Sequence, residues 1–335
     1  MIILGIDTSC DDTSFALLKN GTELLCNIVS SQVDLHRIFG GVVPEIASRK
    51  HIDLIDGLYR ETIRKGGVTQ ASISAIGVTA GPGLIGSVLV GLCFAKGLSL
   101  SLNIPIIGVN HVEAHAMSIL LERDVEFPFI ALVVSGGHTI ILHVTDFGSY
   151  TVLGSTRDDA AGEAFDKIAK FLGLGYPGGK VIEEMSKKGD RHFAVFPRPM
   201  IDDSNYDFSF SGLKTSMINY VKSHDVNDHN ICSILASFQE AAFDVLAHKV
   251  KKAATDLKVP RIVVGGGVAS NGRLRELFYE RCLDHGIDVS FSSPVFCTDN
   301  GAMVAKVAHH HFVRDSVFPK DVAAYSRMRF HRLLC

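Results

Sequence analysis

The chain has 335 residues, 47 % hydrophobic and 21 % charged, with a formal net charge of -3 and no tryptophan. That length exceeds one ordinary core and suits two domains, and the charge excludes a chain that is basic throughout, so any nucleic-acid contact must rest on a local patch. Seven scattered cysteines (10, 26, 93, 232, 282, 297 and 335) contain no C-x-x-C pair. They exclude a disulfide framework and a cysteine zinc site, and fit reduced thiols in the cytoplasm.

In chain order, "MIILGID" is a short apolar strand that meets Asp7 too early to be a signal peptide. "TSCDDT" turns the chain into a second strand, "SFALLK", and "NG" at 20–21 signals a hairpin into "TELLCNIV". "VVPEIASRKHIDLIDGLYRETIRK" has helical spacing after Pro44. "AIGVTAGPG" is a strand entering a Gly-Pro-Gly loop, followed by the apolar helix "SVLVGLCFAKGLSLSL". The longest apolar run, around "LIGSVLVGLCFA", reads as too short and too glycine-broken to span a bilayer, so no membrane contact is expected. "IPIIGV" is a further strand and leads into "NHVEAH".

At residue 129 the opening format returns: strand "FIALVVS", tight turn "GGH", strand "TIILHVTD". Two such openings suggest two halves of one duplicated architecture, the other reading being coincidence among common hairpins. Late in the chain, "PRIVVGGGVASNGRLRELFYERC" is a buried strand, a glycine turn and a helix opened by Ser270 or Asn271. The alternation indicates α/β with mixed sheets, and a boundary is placed near residue 110.

Three strand ends run into glycine loops: "TAGPGLIG" (79–86), "VVSGGHT" (133–139) and "VVGGGVASNG" (263–272). Glycines admit a ligand close to the backbone, and a following helix offers free N–H groups to phosphate or sugar. A single such loop is more often a tight turn, but several together are what a nucleotide cleft needs. The spacings are neither G-x-G-x-x-G nor a P-loop. Asp7 and Asp11 in the first turn can orient a cation, a water or a reacting group, or simply close an Asx turn. His111 and His115 stand four apart, a metal-ligand spacing that ordinary helices also produce by chance.

"GIDTSCDDTS", "VVPEIASRKH", "TAGPGLIGSVLVG", "NHVEAH", "VSGGHT", "DDAAGEAFDKIAKFLGLGYPGG", "DFSFSGLKT" and "GGGVASNGRLRE" together resemble the TsaD family of bacterial tRNA threonylcarbamoyladenosine transferases. The resemblance runs in order from residue 1 to about 325. It implies a two-lobed, duplicated, ribonuclease H-like α/β fold of the actin/Hsp70/sugar-kinase type with a central nucleotide cleft. Lobes are expected at 1–110 and 111–325, the second carrying the metal ligands and most substrate loops, with a basic tail at 326–335.

The implied activity is transfer of threonylcarbamoyl from threonylcarbamoyl-AMP to N6 of the adenosine 3′ of the anticodon, in tRNAs reading codons that begin with A, with release of AMP. By resemblance, His111, His115 and Asp299 are metal ligands for one divalent ion per subunit, iron(II) in preference to zinc. Val134, Ser135, Gly136, Gly137 and His138 match the loop over the substrate, and Asp166, Gly179, Glu183 and Asn271 match further adenylate contacts. Glu183 stands where many members have Asp, Asp7 and Asp12 where Glu is usual, and Ala114 where Gly is common. Asp11 is the candidate acceptor for the N6 proton. The resemblance also implies a paralogous non-catalytic partner (TsaB-like) and a P-loop ATPase partner (TsaE-like).

Two rival activities fit less well. A metallopeptidase H-E-x-x-H places its glutamate one residue after the first histidine, whereas Glu113 is two residues on, about 200° around a helix. A small-metabolite kinase would use Mg²⁺, which prefers oxygen to paired imidazoles. Basic stretches at 49–65, 248–261 and 327–332 are candidates for tRNA, with solvated helix faces as the alternative.

Overall fold

The computed structural model describes residues 1–315 and 321–327, which excludes most of the expected basic tail. The chain forms two compact units, Met1–Val125 with the segment from Thr298 onward, and Glu126–Cys297.

The first unit opens with strands β1 (Ile2–Asp7), β2 (Asp12–Lys19) and β3 (Glu23–Ser31). Asn20 and Gly21 take φ of 52° and 76°, the left-handed pair that a tight hairpin between twisted strands requires. Helices α1 (Val33–Arg37) and α2 (Pro44–Lys65), strand β4 (Ala75–Gly81), helix α3 (Ile85–Leu102), strand β5 (Ile106–Asn110) and helix α4 (His111–Met117) follow. The sheet order is β3-β2-β1-β4-β5, antiparallel across the hairpins and parallel from β1 to β5. Its core is Leu4, Ile6, Phe15, Leu17, Ile76 and Val78 with Tyr59 and Leu92 from the covering helices.

α2 and α3 run side by side in the same direction. Ser48 and Ser87 hydroxyls lie 3.4 Å apart at one end, and the rings of Tyr59 and Phe94 meet edge to face at 5.5 Å further along. The 18 residues of α3 make a helix long and apolar enough to cross a bilayer by length and composition, which corrects the expectation that this run is too short. One face of it, Ser87, Val88, Gly91, Leu92 and Ala95, is buried in the unit instead.

The second unit repeats the plan. Strands β6 (Phe129–Val134), β7 (Thr139–Asp146) and β8 (Ser149–Ser155) precede helices α5 (Ala161–Phe171), α6 (Gly178–Ser186), α7 (Ser211–Ser223) and α8 (Ile231–Asp256). Strand β9 (Arg261–Gly265), helix α9 (Gly272–Cys282), strand β10 (Asp288–Phe291) and the short helix α10 (Pro294–Cys297) complete it. The order β10-β9-β6-β7-β8, with antiparallel β6–β7–β8 and parallel β6–β9–β10, is the first sheet's topology over again. The duplication read from the two hairpin openings is therefore structural, and the architecture is that of the actin/Hsp70/sugar-kinase class.

The last helix, α11 (Gly301–Arg314), returns to the first unit and packs on β1, β2, β4 and α4. The units accordingly divide at 125/126 and again at 297/298, where the sequence had suggested one boundary near 110 and metal ligands in the second lobe. The physical reason is continuity. α4 follows β5 without a linker and is buried along its whole length, so it cannot leave the first core.

Candidate metal centre and adenylate loops

β5 ends at Asn110, whose side-chain Oδ1 accepts from the backbone N–H of Val112 (2.9 Å) and Glu113 (3.2 Å). This cap starts a helix at His111 and puts His115 one turn on, both buried, with ring centroids 4.6 Å apart. The third group arrives from far along the chain. Asn300 caps α11 by accepting from Met303 N–H (3.0 Å), and Gly301 N–H donates to Ser14 Oγ (2.6 Å). Only glycine permits this seat. A Cβ on Gly5 would lie 2.0 Å from the Gly301 carbonyl, and one on Gly301 would lie 2.7 Å from Ala16 N. Asp299, immediately ahead, is thereby held against the two histidines.

His115 Nε2 is 3.1 Å and His111 Nε2 3.6 Å from Asp299 Oδ1, and Ser9 Oγ donates to Asp299 Oδ2 at 3.3 Å. One ligand atom from each of His111, His115 and Asp299 lies within 4.8 Å of the others. Donors about 2.1 Å from one ion stand about 3.0–3.4 Å apart. The Asp299 distances of 3.1 and 3.6 Å are close to this, so a small inward movement of the side chains would let the set hold a single zinc- or iron-sized cation. Two imidazoles and a carboxylate suit either metal. Burial opposes a charge on His111, but the carboxylates of Asp299 and Asp7 outweigh it and push the ring up to about 9. Burial likewise opposes the Asp299 charge, yet His111 and His115 hold that carboxyl well below its ordinary range. The site attracts positive charge, and a bound cation would displace the proton on His111.

Glu113 is turned elsewhere. Its Oε1 lies 3.8 Å from His311 Nε2 on α11. Asp11 is in the first turn beside Cys10. Burial lifts its carboxyl above the ordinary range and Asp299 adds to this, while a hydrogen bond with Cys10 works against it. Behind the turn, the buried His51 of "SRKH" donates from Nε2 to the Cys10 carbonyl (3.0 Å) and accepts at Nδ1 from Thr13 Oγ1 (2.8 Å). A neutral ring is required for this pattern, and burial lowers its pKa accordingly.

The remaining sequence-derived site residues all fall in the second unit. Val134 ends β6, and Ser135 to His138 form a tight turn closed by Ser135 N–H to His138 O (2.8 Å) and His138 N–H to Ser135 Oγ (3.1 Å). Gly136 and Gly137 have open space where a Cβ would stand, whereas Gly162 at the start of α5 packs so tightly that its Cβ would meet the Ser135 carbonyl at 2.6 Å. Asp166 Oδ1 accepts from Gly178 N–H (2.7 Å) at the start of α6, and Gly179 beside it is open. Glu183 Oε1 accepts from Gly272 N–H (2.8 Å) at the start of α9. Asn271 Oδ1 caps α9 through Arg273 N–H (2.9 Å) and Leu274 N–H (3.2 Å), while Nδ2 donates to Gln239 Oε1 (2.9 Å). Two carboxylates and an amide thus tie α5, α6, α8 and α9 together.

Next to them lies a cavity of about 310 Å³ lined by Glu183, Ser186, Lys187, Gln239, Glu240 and Arg273, among others. Arg273 is clamped to Glu240 by two hydrogen bonds of 2.8 and 2.7 Å. Sequence reasoning did not single out Ser9, Gln239, Glu240 or Arg273. Only Ser9, inside the first-turn motif, carried a local signal.

The basic stretches change meaning. Lys249 is buried and donates to the Asn205 carbonyl (2.8 Å), so it is unable to reach a phosphate, and Lys252 pairs with Asp256. On α2, Arg49, Arg60 and Lys65 each pair with an acid four residues earlier. Of the stretch 327–332, all but residue 327 lies outside the described residues.

A duplicated two-lobed α/β fold, with a His/His/Asp cluster able to hold a metal ion in one unit and glycine-lined helix starts in the other, is that of the actin/Hsp70/sugar-kinase class. Comparison with known proteins is more specific. The family described as tRNA N6-adenosine threonylcarbamoyltransferase, TsaD, matches residues 23–306. The tRNA N6-adenosine threonylcarbamoyltransferase of Syntrophus aciditrophicus is 51 % identical over 330 residues, covering 98 % of this chain and 97 % of that one. Its counterpart in Clostridium perfringens is 46 % identical over 331 residues, covering 98 % of both. Among solved structures, the T. kodakarensis protein HypF aligns with a TM-score of 0.66 at 14 % identity, over 93 % of this chain and 48 % of that one, a likeness of fold alone. The chain belongs to the TsaD family and is an acyltransferase that modifies N6 of adenosine in tRNA.

Proposed function

We propose that the donor is threonylcarbamoyl-AMP, that the acceptor is the adenosine 3′ of the anticodon in tRNAs reading codons beginning with A, and that AMP is released in the cytoplasm. The His111–His115–Asp299 cluster carries this reading, because a kinase or a non-catalytic paralogue has no use for paired imidazoles beside a carboxylate. Those three residues would hold one divalent ion, iron(II) in preference to zinc, which supplies Lewis acidity and a fixed charge for substrate oxygens.

The adenylate is a mixed anhydride, so AMP already leaves readily and no covalent enzyme intermediate is required. The N6 lone pair attacks the carbamoyl carbon, the bond from that carbon to the phosphate oxygen breaks, and AMP departs with the electron pair. Asp11, its carboxyl raised by burial, accepts the N6 proton. The open backbone at Gly136, Gly137 and Gly179 admits phosphate or carbonyl oxygen, and the cavity beside Glu183 and Asn271 takes the nucleoside.

A paralogous TsaB-like partner would be met by exposed apolar side chains of α2 and α3, of which Ile52, Ile85 and Leu89 are 63 %, 46 % and 44 % exposed. A TsaE-like P-loop ATPase completes the assembly. The test combines the chain and partners with threonine, bicarbonate, ATP, the adenylate-forming enzyme and unmodified tRNA, followed by nucleoside mass analysis. Threonylcarbamoyladenosine forms only with this chain present, is lost with His111→Ala, and persists with Glu113→Gln. A modified nucleoside formed without the chain would overturn the assignment.

A further inference from the structure

One carboxylate in the first turn has no part in the chemistry above. Asp7, the last residue of β1, is fully buried. Its Oδ1 accepts from Ser9 N–H at 3.0 Å, which fixes the plane of the carboxylate. Its Oδ2 is buried without a hydrogen-bond partner and faces His111 Nδ1 at 3.5 Å. The other nitrogen of the same ring, Nε2, faces Asp299 Oδ1 at 3.6 Å. The His111 imidazole therefore stands between two carboxylates, one at each nitrogen, and of these two carboxylates Asp299 belongs to the compact ligand group with His111 and His115 and Asp7 does not.

A buried carboxylate that merely closed the turn would be served as well by asparagine, without the cost of desolvating a charge. A metal-binding imidazole, by contrast, needs its second nitrogen protonated and held by an acceptor. We propose that Asp7 is a positioning residue of the metal centre, its Oδ2 keeping the proton on His111 Nδ1 so that Nε2 is the nitrogen offered to the metal. This rests on the His/His/Asp reading of the centre and adds to it the selection of one ring nitrogen.

The substitution Asp7→Asn separates the two roles. The amide oxygen still accepts from Ser9 N–H, but an NH₂ group then faces His111 Nδ1. Metal-stripped wild type, Asp7→Asn, Asp7→Glu and His111→Ala are titrated with Zn²⁺ against a chromogenic chelator. Asp7→Asn binds about 10–100-fold more weakly, whereas Asp7→Glu, which keeps the acceptor, stays within about threefold of wild type. Thermal unfolding of the metal-free Asn variant at or above the wild-type midpoint separates the effect from misfolding. Independently of any variant, ¹⁵N spectra of zinc-loaded wild type show the His111 proton on Nδ1. Wild-type zinc affinity in Asp7→Asn, or zinc on Nδ1, overturns the role of Asp7 while leaving the centre intact. Wild-type affinity in His111→Ala overturns the centre itself, and the role of Asp7 with it.

Discussion

Replacing Asn271 by alanine removes two kinds of interaction at once. The first is the α9 cap, two hydrogen bonds of 2.9 and 3.2 Å to Arg273 and Leu274 N–H, worth about 1 kcal/mol. The second is the donor to Gln239 Oε1 at 2.9 Å. Gln239 is only 4 % exposed, so its oxygen loses a partner where water is scarce, a penalty of about 1–3 kcal/mol. The sum is about 2–4 kcal/mol, or a fall in melting temperature of roughly 5–10 °C. Asn271→Asp keeps the cap acceptor at a helix N-terminus that favours negative charge, and Gln239 can turn its amide to donate, so the loss is under about 1 kcal/mol. Thermal denaturation of both variants, beside calorimetric titration with AMP, makes the comparison. Equal stability loss in the two variants would refute the reasoning, because the buried glutamine oxygen would then contribute nothing. AMP affinity unchanged in the Ala variant would leave Asn271 without a part in nucleotide binding.

Gly5→Ala drives a methyl into the Gly301 carbonyl, and the shift of α11 should cost about 1–3 kcal/mol and weaken metal binding, measured by denaturant titration and chelator competition. Lys249→Glu sets a carboxylate against the Asn205 carbonyl; it should destabilise by about 3 kcal/mol or more and leave the salt dependence of tRNA binding unaltered. Burial, with Asp299 beside it, raises the Asp12 carboxyl from 3.8 to about 8 in the folded, metal-free protein. Folding therefore takes up a proton between those values, stability falls as pH rises from about 4 to 8, and Asp12→Asn should flatten that slope and stabilise the metal-free protein at pH 9 in a melting series.

Local signals made the fold legible. The left-handed pair at Asn20 and Gly21 and the second hairpin at 129 gave away the duplication, because turn chemistry is written in two or three adjacent residues. The unit boundary was not legible, since nothing local distinguishes a helix that stays in its own core, as α4 does, from one that opens the next. The same holds for the candidate site. The His111–His115 spacing is visible on one helix, but their approach to Asp299, 184 residues beyond His115, depends on the glycine-on-glycine seat of α11. Lys249 misled because α8 is buried on most of its circumference, so its charge pattern does not mark a surface. The resemblance implies Asp166 and Glu183 as adenylate contacts, and the sequence holds no sign that each also has an oxygen engaged at a helix start.

The return of the chain to the first unit at Thr298 sets an order of assembly during synthesis. A ribosome that has completed residues 1–297 has made both imidazoles and the whole of the second unit, but not the carboxylate that joins them. The nascent first unit also lacks α11, and with it the packing that β1, β2, β4 and α4 receive from that helix. Two histidines alone form a weak, unselective site, so tight capture of the proposed ion would wait for the last few dozen residues. Under the proposed metal role, loading of the ion would report that the chain has been made through Asp299 and hence through the whole second unit, and a product truncated before Asp299 would lack the third ligand.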